Sequence, residues 1–362
     1  MPFRVKFAIG FLLLSIQCFA QRNETDSLES LVRSVSPDTT KVWLLNNLVT
    51  SLREKDNNKA LRFAQQAKQL AELLSYKKGL AQALENLGWI LFRQGDYSKS
   101  FQLSTQALRI SEDLQDKSAI ARCLINIAAI NYEQKQYTLA IENFKKAYQV
   151  AKMVDDHRTM ARSLNNIAFT FLRSARQLDS AYAYARESFA VSKRIGDPYM
   201  IGFSTHTLGD IDLESGNAKL ALKNFNDCLI IAEQHHINFL KVSSLYRLGR
   251  AYKILKQPGK TVAHLHENID IAKKYGFKDE LERSYKLLSE TYFDQGDLNK
   301  AYEYQSMYLA VHDSLYDQRN SEQMALMQAS FESELKETQI ELLTKDAALK
   351  ANEIKSQKVW LY

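Results

Sequence analysis

Residues 121–147 read ARCLINIAAINYEQKQYTLAIENFKKA, and this stretch decides the fold. Leu124, Ile127 and Ala128 share one face of a helix, and Ala140, Phe144 and Ala147 share one face of a second. Ala128 stands 12 residues before Ala140. Folding the segment back at the turn between them sets two small side chains against each other, so the helix backbones approach closely while large residues fill the remaining space.

The pattern continues in both directions at a spacing of 40 residues. Leu87-Gly88 precedes it, and Ile167-Ala168, Leu208-Gly209, Leu248-Gly249 and Leu288-Ser289 follow, with Leu48 one step before the first. The second small position recurs in phase as Ala60, Ser100, Ser180 or Ala181, Ala221, Thr261 and Ala301. Turns carry their own marks: Gln94-Gly95-Asp96, Ser215-Gly216-Asn217 and Gln295-Gly296-Asp297 each put a glycine where one helix stops and a capping residue where the next begins. Pro37, Pro198 and Pro258 fall at junctions, and none interrupts a helix interior. Any helical bundle shows leucine and alanine at helical spacing, but seven units in one register do not arise that way. The expectation is an all-α, right-handed superhelical array of about seven hairpins over residues 41–318, followed by a long helix.

Composition agrees. With 12 Gly and 4 Pro in 362 residues, the chain is built for helix. Its 48 basic and 42 acidic residues leave a dispersed +6, not the concentrated basic stripe that nucleic acid requires, so no nucleic-acid partner is expected.

These features resemble the tetratricopeptide repeat family, whose pattern sets a Leu-Gly pair and then small and aromatic residues on a helix pair. The matches are Leu84, Leu87, Gly88 and Ala107 in one unit, and Leu124, Ile127, Ala128, Ala140, Phe144 and Ala147 in the next. The likeness covers residues 41–318. Leu48 and Ser289 depart from the small residue, the motif's terminal proline is absent, and the period exceeds the family's usual ~34 residues, which implies longer helices. The resemblance implies a non-enzymatic scaffold that binds a protein or an extended peptide in its concave groove.

Upstream, Arg4 and Lys6 precede an apolar run from Phe7 to Ile16 and a small residue at Ala20, the form of a cleaved secretion signal over residues 1–20. A linker follows at 21–40. Export, to a periplasmic or membrane-associated location, is therefore expected. Cys123 and Cys228 lie two repeats apart, beyond the ~7 Å Cα separation that a disulfide tolerates, and read as small buried apolar residues. Downstream, residues 319–362 carry Leu335, Leu342 and Leu349 at heptad spacing, with polar Thr338, Lys345 and Asn352 between them. This is an amphipathic helix with a weak seam, suited either to pairing with a second copy as a coiled coil or to a single solvated helix. The segment Lys358-Val359-Trp360-Leu361-Tyr362 has the character of the start of a membrane helix. Leader, array, charged helix and apolar start, in that order, resemble the extracytoplasmic half of repeat-containing bacterial sensor histidine kinases, which supplies an alternative function as a sensory region with membrane attachment.

No catalytic motif or cofactor-binding motif stands out. His264 and His266 are two apart and point to different sides of a helix, which disfavours a shared metal. The specific hint is a column of amides, Asn46, Asn86, Asn126 and Asn166, one per repeat. An amide donates and accepts together, which suits the backbone of an extended peptide; the competing reading is that each bridges neighbouring helices. In the same register Arg122 and Arg162 offer carboxylate recognition, and Trp89, Phe92, Tyr132 and Phe169 offer stacking. The column stops at Thr207, and Arg247, Arg250, Lys253, Arg283 and Lys286 make the later inner face more basic. An acidic peptide in the N-terminal half is the expectation.

Overall fold

The computed structural model describes residues 25–174, 177–315 and Lys350. The leader and nearly all of the terminal helix fall outside the described residues. Helix α1 (residues 25–34) lies within the stretch read as a linker, and its Leu28 and Val32 pack into the core of the first hairpin. Seven hairpins follow: α2 (Thr39–Leu52) with α3 (Asn57–Leu73), α4 (Lys77–Arg93) with α5 (Tyr97–Asp113), α6 (Lys117–Glu133) with α7 (Tyr137–Lys152), α8 (His157–Ser174) with α9 (Leu178–Ile195), α10 (Pro198–Glu214) with α11 (Ala218–Gln234), α12 (Asn238–Ile254) with α13 (Pro258–Tyr275), and α14 (Lys278–Asp294) with α15 (Leu298–Leu315). Among the described residues there is no strand.

The paired small residues do what their spacing implies. Ser100 Oγ donates to the Gly88 carbonyl at 2.7 Å, Thr261 Oγ1 to that of Gly249 at 3.2 Å, and Ser289 Oγ to that of Ala301 at 2.9 Å. Gly88 has no room for more: a Cβ there would lie 2.5 Å from Ser104 Oγ. Larger neighbours such as Phe144 and Phe225 are fully buried around these contacts.

The junctions repeat twice as often as the hairpins. Left-handed residues occur at Ser75, Gly95, Gln115, Lys135, Asp155, Gly196, Gly216, His236, Lys256, Gly276 and Gly296. At ten of these eleven stops, Gly196 being the exception, the amide one residue on reaches back five positions, as from Asp96 to the Leu91 carbonyl (3.0 Å) and from Gln136 to that of Asn131 (2.9 Å). This is the Schellman closure, which satisfies carbonyls that a helix end would otherwise leave open. Aspartates at 56, 96, 116, 156, 197 and 297 then cap the next helix through their side chains.

First helices stack on the first helices of neighbouring hairpins at every step, whereas second helices contact mainly their own and the following hairpin. The array therefore curves with α2, α4, α6, α8, α10, α12 and α14 on its inner wall. The curve is tight enough to meet itself. The Phe239 amide donates to the Glu54 carbonyl at 3.0 Å and Asn238 Nδ2 to the Lys55 carbonyl at 2.8 Å, joining the turn after α2 to the start of α12. Arg93 at the end of α4 pairs with Asp279 at 2.9 Å and lays its guanidinium over the Phe239 ring at 3.6 Å. Gly276 sits against Asn58 with no space for a side chain, at a φ of +81°.

Candidate functional site: two chambers on the inner wall

The asparagine column lies on the inner helices, one residue per hairpin. Asn46 Nδ2 donates to the Gly79 carbonyl (3.0 Å), Asn86 Nδ2 to Asn46 Oδ1 (3.4 Å) and Asn126 Nδ2 to the Glu85 carbonyl (3.1 Å). All three side chains are fully buried and run between adjacent hairpins. Asn166 is half-buried, and its backbone carbonyl takes the Thr170 hydroxyl at 2.7 Å.

Beside the column is a polar cavity of about 290 Å³. Its centre is Glu85, fully enclosed, with Arg53 Nη1 at 3.3 Å and Arg122 Nε at 3.5 Å. Burial pushes the Glu85 carboxyl up, but Arg53, Arg122 and Arg162 together outweigh it and hold it below the ordinary carboxylate value. Arg162 lies 3.9 Å above the Trp89 ring, and Trp89 Nε1 donates to Glu54 Oε1 at 3.1 Å. Desolvation, and after it the charge on Arg53, lowers Arg162 to about 10, so it stays cationic at neutral pH. Its Nη2 is buried with no hydrogen-bond partner. The wall holds Arg53, Lys78, Arg122, Arg158 and Arg162 against Glu54, Glu85, Asp116 and Asp156, a near balance of charge.

A second chamber of about 490 Å³ opens among the later first helices. Tyr132 and Phe169, with ring centres 5.5 Å apart, form part of its wall. Arg247 Nε meets Asp210 at 2.9 Å, and Arg250 bridges Asp210 and Glu214. Burial raises the Asp210 carboxyl, and Arg247, Arg173 and Arg250 more than reverse this.

The ten sequence-selected residues thus separate. Arg122 and Arg162 line the first chamber, Tyr132 and Phe169 the second. Trp89 is buried beneath Arg162, and Phe92 stacks on Trp89 at 5.5 Å and packs into the core. Sequence reading passed over Glu85, Arg53 and Asp210. For Glu85 the signal was slight: equivalent positions hold Leu45, Ile125 and Asn165, and of these four Glu85 alone is charged. His264 and His266 diverge, the first to the Lys260 carbonyl and the Tyr252 ring, the second to Tyr304.

Stacked antiparallel hairpins whose first helices line a polar inner wall define a helical-repeat scaffold. Residues 41–113 and 119–194 match the family model described as tetratricopeptide repeat, and the later hairpins continue the same helix-pair architecture. Similar solved structures include a Rap protein complexed with Competence and Sporulation Factor, at 14% identity over 84% of this chain and 99% of that one, with a TM-score of 0.59. Another is the Rap conjugation gene regulator of plasmid pLS20 in complex with the Phr* peptide, at 16% identity over 84% and 98%, with a TM-score of 0.52. A third is the apo quorum sensor NprR from B. thuringiensis, at 17% identity over 83% and 84%, with a TM-score of 0.51. At these identities the likeness is one of fold. No curated protein matches the chain in sequence.

Proposed function

We propose that the chain is a non-enzymatic scaffold that holds an extended peptide or protein segment on its inner wall. The observation that carries this reading is Arg162, a cation 7% exposed whose Nη2 lacks a partner at the edge of a polar cavity. A buried donor without an acceptor is costly, and a ligand carboxylate would offset that cost. Rap proteins of this fold in complex with the Phr* peptide and with Competence and Sporulation Factor support the same reading. In it, Arg122 and Arg162 take a carboxylate, and Tyr132 and Phe169 stack on apolar parts of the ligand. Trp89 and Phe92 form the floor that carries Arg162. Asn46, Asn86 and Asn126 set the spacing of the inner helices, and Asn166 is the amide with a face left for a ligand backbone. The test is selection of octapeptides on the immobilised chain, repeated with Arg122→Gln plus Arg162→Gln. Enriched peptides should lose at least about tenfold in affinity for the variant, since a charge-assisted hydrogen bond contributes about 1.5–3 kcal/mol. Absence of any enriched peptide refutes the scaffold reading, and equal affinity refutes the role of the arginines.

We also propose export by the leader over residues 1–20, and pairing with a second copy and membrane attachment through the segment that follows the array. A second reading, the sensory region of a two-component signalling protein, draws on the order of leader, array and charged helix. A reporter fused behind residues 1–30 that stays in the cytoplasm would remove both exported readings, and recovery of the native protein in the soluble fraction would remove the second.

A further inference from the structure

We infer that the second chamber, not the first, selects for negative charge, and that its ligand is an acidic stretch of peptide. The inference rests on the peptide-binding reading above and assigns its charge preference to a place. Cations outnumber carboxylates six to three in the wall of the second chamber: Arg173, Arg247, Arg250, Lys253, Arg283 and Lys286 face Asp210, Glu282 and Glu290. Most are already committed. Arg247 and Arg250 share Asp210, Lys253 pairs with Glu290 at 3.1 Å, and Arg283 with Glu280 at 3.5 Å, while Glu282 is taken by His312.

Arg173 and Lys286 are different. Among the described residues neither has a carboxylate within ion-pairing reach, and each instead lies near an aromatic face, Phe169 at 5.2 Å and Tyr308 at 5.9 Å. They come from α8 and α14, three hairpins apart in sequence, and converge on one cavity. Two cations outside the ion pairs, beside aromatic walls, fit a ligand with carboxylates on a partly apolar body, and a concave wall with an excess of positive charge concentrates the field that draws such a ligand in. Asp and Glu side chains along a peptide supply that chemistry, and a cavity of about 490 Å³ accepts a few residues. The first chamber has no comparable excess, because Glu85 neutralises its arginines from within.

The experiment uses the full chain and fluorescent octapeptides of one aromatic scaffold whose net charge runs from −6 to +6, measured by anisotropy at low and moderate salt. Affinity should climb with negative charge and fall with salt. Arg173→Gln plus Lys286→Gln, both at exposed side chains, should weaken the most acidic peptide at least about tenfold and the neutral one less than twofold. Equal affinity across the charge series overturns the inference while leaving peptide binding intact. So does an unchanged double variant when Arg162→Gln alone abolishes the preference. Tighter capture of a single-stranded oligonucleotide than of the most acidic peptide assigns the chamber to nucleic acid and also overturns it. Failure to bind any peptide overturns both this inference and the scaffold reading.

Discussion

Replacing Glu85 tests the account of the first chamber most directly. Its carboxylate is fully enclosed between Arg53 at 3.3 Å and Arg122 at 3.5 Å, and Arg162 has no hydrogen-bond partner for its Nη2. Glu85→Ala removes the carboxylate that Arg53, Arg122 and Arg162 share, and breaking a buried pair in this way costs about 3–5 kcal/mol. For a chain of this size that is a fall in melting temperature of about 4–8 °C. Glu85→Gln keeps the shape and an acceptor for Arg53, so it should cost about 1.5–3 kcal/mol. The pH dependence has a definite sign. Because the folded carboxyl titrates below its unfolded value, its contribution is present at neutral pH and is lost as pH falls through the folded value. The gap between wild type and Glu85→Gln should therefore narrow as pH falls below the ordinary carboxylate value of about 4.3. Urea melts followed by circular dichroism at pH 7 and at pH 3.5 measure all of this. Adding Arg162→Gln to Glu85→Ala should recover part of the loss, since it removes one of the stranded charges. A Glu85→Ala protein within about 1 kcal/mol of wild type at pH 7, or an Arg162→Gln addition that deepens the loss, would refute the reasoning.

Other outcomes follow from packing and backbone. Gly88→Ala should cost about 1–3 kcal/mol because the new methyl meets Ser104 Oγ, itself buried without a partner; Gly88→Ala with Ser104→Ala should be at least as stable as wild type in the same melts. Lys135→Gly and Gln115→Gly, at left-handed stops with φ of 62° and 55°, should each stabilise by about 0.5–1 kcal/mol, the relief of backbone strain exceeding the added chain entropy. Cys123 and Cys228 are free and fully buried, and desolvation drives both thiols far up, so neither should react with iodoacetamide at pH 8 until urea unfolds the array; mass spectrometry of native and unfolded samples decides it.

The fold was legible because its information is periodic. Small residues at Gly88, Ala128 and Ala168 recur with the helix pair itself, so one register located all seven hairpins. The half-period was harder to see. Six of the left-handed stops carry Ser, Gln, Lys, Asp or His where glycine is the usual mark, because the Schellman bonds hold the conformation against a modest steric cost. Site residues were legible as positions on the inner wall but not as exposed or enclosed. The same one-per-repeat spacing describes an amide that reaches a ligand and an amide that reaches the neighbouring hairpin's carbonyl, and for Asn46, Asn86 and Asn126 that distinction lies in the helix-to-helix approach. Glu54, Phe239 and Asp279 meet only because of superhelical pitch, which no local pattern encodes.

That meeting changes how the array should fold and evolve. In an open solenoid each unit depends on its neighbours alone, so units are gained and lost cheaply and stability is a sum along a line. Here a hydrogen bond spans 183 residues, from Asn238 to Lys55, with an ion pair and a cation–π contact beside it. Excising one internal 40-residue unit would still leave hairpin stacked on hairpin along the array yet bring a different hairpin opposite Lys55. The number of repeats between the two ends of that contact is consequently fixed by geometry, and the line of units is coupled into a loop whose halves should melt together.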